Sequence, residues 1–187
     1  MEIDLSDLTE RQKGLLADNG MPIYLSHYTQ LPYLLKILNE KKLKLSDTEG
    51  FKDPVDRGWT RSYKEKKGTT KLFIICFTWE TELINHWQTY AKGKFGCYLS
   101  FDAPKLIEAA AQQGIKCGFI RYRKRIASKS PEETPAEEIP FSKAWAYRSE
   151  YEYRFVSDEK SYLTFDTSWV KQISITAKMD NDSFGYF

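Results

Sequence analysis

Glu150, Glu152 and Arg154 stand at every second position of the stretch SEYEYRFV, residues 149–156. Side chains of a strand alternate between its two faces. These three therefore share one face, and Tyr151, Tyr153 and Phe155 share the other. Two carboxylates at this spacing have Cβ atoms roughly 6.5–7 Å apart, given a rise of about 3.3 Å per residue. Each raises the other's pKa, while a guanidinium beside them pulls both down. Such a set can stabilise positive charge on a reacting sugar and help deprotonate an acceptor. The same pattern also describes an ordinary solvated strand face, and alternation alone leaves both readings open.

Other residue types add candidates. The chain has two histidines, His27 and His86. His27 stands in SHYT, where an apolar strand gives way to a helix, a junction from which functional side chains project. Its ring nitrogens suit a ribose hydroxyl. Asp53, in FKDP, is held in extended backbone by Pro54; it is either a turn residue or part of a pocket mouth. Trp87 and Tyr90 are three apart on a predicted helix and share a face, as core packing or as a stacking wall for a flat ring. No metal site is expected. His27 has no partner at ligand spacing, and Cys76, Cys97 and Cys117 are too dispersed for zinc or a disulfide framework. GxGxxG, Walker A, GxSxG and HExxH are all absent.

The elements that must position these residues follow from periodicity. The pattern predicts an N-terminal helix within 1–20 (at 6–18), a strand at 22–28 and a helix at 31–42, whose Leu31, Leu34, Leu35 and Leu38 fall on one stripe. A short strand at 43–46 leads into a long irregular loop over 47–71. Then come a buried strand at 71–78, a helix at 81–92 capped by Thr81, a strand at 95–101, a helix at 104–114 and a strand at 116–122. Residues 128–140, rich in Pro and Glu, read as an exposed loop. EYEYRFV, SYLTF (161–165) and WVKQISIT (169–176) read as three closing strands. The sum is α+β.

The 187 residues, 41% hydrophobic, suffice for one compact domain spanning 1–187. Aromatics at 15% either fill its core or line a pocket for a flat ligand. A net charge of +2 selects no partner. The basic runs KKLK (41–44), RSYKEKKGTTK (61–71) and RYRKR (121–125) read either as solvated segments or as contacts to phosphates, the last being the most concentrated. The acidic N-terminal stretch lacks a signal-like apolar core, and no run approaches membrane-spanning length. With no disulfide framework, a cytoplasmic location is expected, without membrane contact.

Several short motifs then agree in order and spacing. SHYTQLPYLLKILNEKKLKLSDTEGFKDP, FIICFT, HWQTYAKGKFGCYLSF and KAWAYRSEYEYRFV resemble a large bacterial domain family of unknown function with the pattern HYT…FNDP…CFS…WxxY…ExEWR. The resemblance covers residues 23–156, with Lys52, Thr78 and Tyr153 standing where Asn, Ser and Trp are usual. That family is similar to the ADP-ribosyltransferase fold, a split, mostly antiparallel β-sandwich with flanking helices that holds NAD in a cleft. The resemblance implies that His27 holds a ribose hydroxyl and that Glu152 stabilises the oxocarbenium-like centre formed as nicotinamide leaves. Glu150 is implied as the partner acid that orients or activates the acceptor. Tyr28, Trp87 and Tyr90 compete for the stacking role, while Asp53 and Arg154 complete the NAD-binding set.

The expectation is an NAD-consuming ADP-ribosyltransferase, a toxin or defence factor acting on water or on a macromolecular acceptor, protein or nucleic acid. One rival is a non-catalytic module that binds a nucleotide or a partner. Another is a metal-dependent nuclease built on Asp53, Glu150 and Glu152. Arg154 stands where such a site wants lysine, and arginine cannot serve as a general base at neutral pH.

Overall fold

The computed structural model describes residues 10–17, 19–51, 54–80, 83–123 and 133–176. Among them, seven strands form one antiparallel sheet. Its order is β11 (Val170–Ile175), β5 (Gly96–Asp102), β1 (Tyr24–Gln30), β4 (Phe73–Thr78), β9 (Glu152–Ser157) and β6 (Lys116–Phe119), with β3 (Ser46–Asp47) also on β4. Two small pairs lie apart: β2 (Lys42–Lys44) with β10 (Tyr162–Thr164), and β7 (Arg121–Arg123) parallel to β8 (Ser142–Ala144). No described helix is long and apolar enough to cross a membrane. The molecule is thus α+β with a mostly antiparallel sheet, as the periodicity predicts.

The pleat gives the sheet two different faces. Leu25, Phe77, Leu99, Phe101, Tyr153 and Phe155 point to one side and form the main core. Leu34 of α2 (Leu31–Glu40) and Leu106 of α5 (Ala103–Gln112) pack into it. Ring pairs such as Phe77–Phe155, 5.0 Å between centroids, fill this layer edge to face. The opposite face has two smaller apolar clusters. Tyr28, Tyr98 and Ala91 pack with Trp87 of α4 (Ile84–Thr89). Tyr63 of α3 (Pro54–Lys67) packs with Ile74, Ile139, Phe141 and Val156. Between these two clusters lies a charged group of side chains.

The central seam is irregular. β4 pairs with β9 at six positions, Phe73 through Thr78. On its other edge β4 meets β1 only at Ser26↔Thr78, and β3 takes over at Ile74 and Phe73. In the gap between, Nδ1 of His27 lies 2.9 Å from the carbonyl oxygen of Cys76. A carbonyl only accepts, so Nδ1 carries the proton and donates.

Four expectations are corrected. The N-terminal helix, expected at 6–18, is the four-residue α1 (Glu10–Lys13) among the described residues; the chain then turns back so that Leu16 bridges Pro22. The 47–71 segment, expected as a loop, contains the fourteen-residue α3. Its described buried positions, Asp56, Thr60 and Tyr63, are at helical spacing but polar or amphipathic, so no apolar stripe announces it. In 128–140, residues 136–141 form a 3-10 helix that buries Ile139, Pro140 and Phe141; the segment before 133 lies outside the described residues. Finally, β9 is an inner strand rather than a closing one, and SYLTF pairs with β2 away from the large sheet. The Thr81 cap also lies outside the described residues; α4 starts at Ile84, after Leu83.

Candidate active site

Glu152 opens β9 with its side chain on the face opposite the main core. The register pairs Glu152 with Thr78 and Arg154 with Cys76, so all four project to that side. Glu152 and Arg154 are almost wholly buried. Arg154 donates through Nε to Glu152, through Nη1 to the carbonyl of Pro140 at 3.0 Å, and through Nη2 to Asp56 Oδ2 at 3.1 Å.

Glu150 reaches the same place by another route. It is not on the strand: it ends the 3-10 turn 145–150, and Tyr151 follows in a left-handed conformation, φ 47°. Lys143 of β8 joins the two acids. Its Nζ lies 2.6 Å from Glu150 Oε2, 3.0 Å from Glu152 Oε2 and 3.9 Å from Asp56 Oδ2, and 4.8 Å from the ring centre of Tyr147. Tyr90 donates its hydroxyl to Glu150 Oε1 at 3.2 Å. The backbone N–H of Glu152 donates to the Tyr122 hydroxyl at 2.8 Å.

These surroundings drive the two carboxyls apart. Burial works against the charge of Glu152, but Arg154 and Lys143 outweigh it and hold its pKa at about 2. For Glu150, burial dominates over the ammonium of Lys143 and raises its pKa above the usual carboxylate value. Burial also opposes the charge of Lys143, but Glu152 and Glu150 prevail and keep the ammonium protonated. His86 is buried above this group and has its pKa lowered to about 4, chiefly by burial, so it is neutral near pH 7. Burial, then the charge of Glu150, pushes the Tyr90 phenol up.

The site is open at two points. Tyr90 is 46% exposed beside Glu150. Cys76, on an inner strand, also keeps solvent-accessible surface. Burial raises the thiol pKa, with the Glu152 carboxylate adding to the effect.

Of the residues expected from sequence, Glu150, Glu152, Arg154, Tyr28, Trp87 and Tyr90 meet on this side of the sheet. Tyr28 is 8% exposed and closed in by Trp87, His86 and Tyr98, at 5.4, 5.2 and 5.1 Å between ring centres. It has no open face to offer a ligand ring, which leaves Trp87 and Tyr90. His27 is not brought to the carboxylates: it pairs with Leu99 on the core side of β1, and its ring packs 5.5 Å from Phe77. Asp53 lies outside the described residues. Arg121 and Arg123 of the basic run RYRKR pair with Glu138 at 2.9 and 3.0 Å rather than standing free.

Sequence reasoning missed Lys143, Asp56, His86 and Tyr122 as members of the site. Only Lys143 had a usable signal, a cation upstream of the paired glutamates in KAWAYRSEYEYR. A groove of about 390 Å³ lined by Ile84, Trp87, Gln88 and Lys92 runs beside α4, but none of the carboxylates lines it. Compared with known proteins, the chain matches no family model, no curated protein and no solved structure.

Proposed function

We propose that the protein cleaves the bond between nicotinamide and ribose in NAD and passes ADP-ribose to a macromolecular acceptor or to water. The observation that carries this reading is the glutamate pair: two carboxylates on one lysine, with pKa values displaced in opposite directions. Paired acids separated in this way divide the labour of glycosidic chemistry. Glu152, fixed as an anion, stabilises the oxocarbenium-like ribose as nicotinamide leaves with the bonding electrons. Glu150 exchanges a proton with the acceptor. Tyr90 and Trp87, at the open rim, supply ring faces for nicotinamide. The antiparallel sheet, interrupted at the β1–β4 seam, agrees with an ADP-ribosyltransferase-like arrangement. The ribose-holding role expected of His27 draws no support from its position on the core side of β1. Nicotinamide release from NAD, followed by chromatography, tests the reading. The wild type is expected to release it, and Glu152→Gln to fall by about 10²–10³-fold.

One observation favours a second reading. Both oxygens of Glu152 are engaged by cations, and the residue is 4% exposed. A group closed on itself in this way suits a scaffold for a nucleotide-binding module. Binding of NAD by folded wild type without any release of nicotinamide would select that reading.

A further inference from the structure

We propose that Lys143 is the positioning residue of this site, the group that makes one acid–base unit of Glu150 and Glu152. Its single Nζ atom reaches both acids at hydrogen-bond distance. An ammonium has three N–H donors. Two reach Glu150 and Glu152, and Asp56 stands at 3.9 Å as a longer-range charge. The side chain is held in place: Lys143 is 7% exposed, its backbone is paired to Tyr122 in the β7–β8 ladder, and its ammonium lies over Tyr147.

The charge count shows what removing it does. The groups around Lys143 are Asp56 from α3, Cys76 from β4, His86 from α4 and Tyr90 just after it, Tyr122 from β7, Tyr147 and Glu150 from the 145–150 turn, and Glu152 and Arg154 from β9. Near pH 7 the thiol, the imidazole and the phenols are neutral. Three carboxyl groups then face two cations, and losing Lys143 leaves three facing one. Arg154 still holds both oxygens of Glu152. The proton that relieves the excess charge therefore settles on Glu150, and the two acids no longer act as a pair of fixed composition.

The consequence for turnover rests on the glycosyl-transfer reading; the assignment of Lys143 does not. The test is a titration of ¹³C-labelled glutamate carboxyls by NMR in wild type, Lys143→Met and Lys143→Arg, with nicotinamide release followed against pH in parallel. In Lys143→Met the Glu150 transition should move up by about one pH unit or more, while Glu152 stays ionised through the neutral range. Lys143→Arg, which keeps the charge, should move Glu150 by less than half as much. Unchanged Glu150 titration in folded Lys143→Met overturns the proposal. Should that variant fail to fold, the wild type decides: hydrogen-bond couplings from the Lys143 ammonium to both carboxyl carbons support it, and a coupling missing from either overturns it. A titration shift without nicotinamide release from wild type sustains Lys143 and removes the glycosyl reading. Release without a shift does the reverse.

Discussion

Arg154 is the largest of the fully buried side chains among the described residues, and its guanidinium is the hub on which α3, β9 and the 136–141 turn converge. A buried cation is tolerated when its donors and its charge are both met, and removing one partner strands the other. Arg154→Ala leaves Glu152 and Asp56 buried with only Lys143 opposing them. The expected loss is about 3–5 kcal/mol of stability, read as a lower urea midpoint. His86 gives a prediction in pH. Its folded pKa of about 4 lies below the ordinary 6.5, so the unfolded chain binds the proton first. This contribution is therefore complete above pH 6.5 and is lost as pH falls towards 4, to a total of about 3 kcal/mol. Glu150, shifted upward, acts with the opposite sign, so the comparison must be with His86→Gln. Thermal melts between pH 7 and 4 should fall less steeply for that variant. At this scale the acidic pair was legible because glutamates at alternate positions are conspicuous. It is assembled differently from a plain strand face, since Glu150 belongs to a turn and reaches Glu152 through Lys143. Asp56 was hidden because its meaning depends on a contact with Arg154, nearly a hundred positions away in the chain.

At the scale of elements, α3 shows where periodicity fails. A helix covering an apolar layer advertises itself by an apolar stripe; α3 covers a charged cluster and turns Asp56 and Thr60 inward. Gly58 lowered its helical signal further. The strand β4 was legible for the converse reason, because both of its faces bury apolar side chains and the run is continuous. Two glycines separate the local rules. A Cβ added at Gly58 meets nothing within 4 Å on an exposed helical turn, so Gly58→Ala should stabilise by about 0.5–1 kcal/mol. A Cβ at Gly96 would lie 1.9 Å from the carbonyl oxygen of Ala91. That contact is with backbone, so the chain itself must move. Gly96→Ala should lower the melting temperature and displace the end of α4, which carries Trp87 and leads into Tyr90, detectable as a change in tryptophan fluorescence.

At the scale of the molecule, the site draws on α3, α4, β4, β8, β9 and the turn before β9, and the charged group lies between two apolar clusters that close it at either end. The α+β class was readable because strand and helix periods alternate along the chain. The order of strands was not, since pairing of β4 with β9 joins residues about eighty positions apart and leaves no local trace. That order has a kinetic side. β1 and β5 share seven paired positions, β4 and β9 share six, and a single rung at Ser26↔Thr78 joins the two ladders. The expectation is that a sheet fastened so lightly at its middle opens as two units, although one core cluster underlies both ladders. Amide hydrogen exchange should find the two ladders protected with separate opening energies. The amide of Cys76, along the seam, should exchange ahead of both. The protein would then breathe along the line that leads to its carboxylates, and ligand access would follow the rate of that opening.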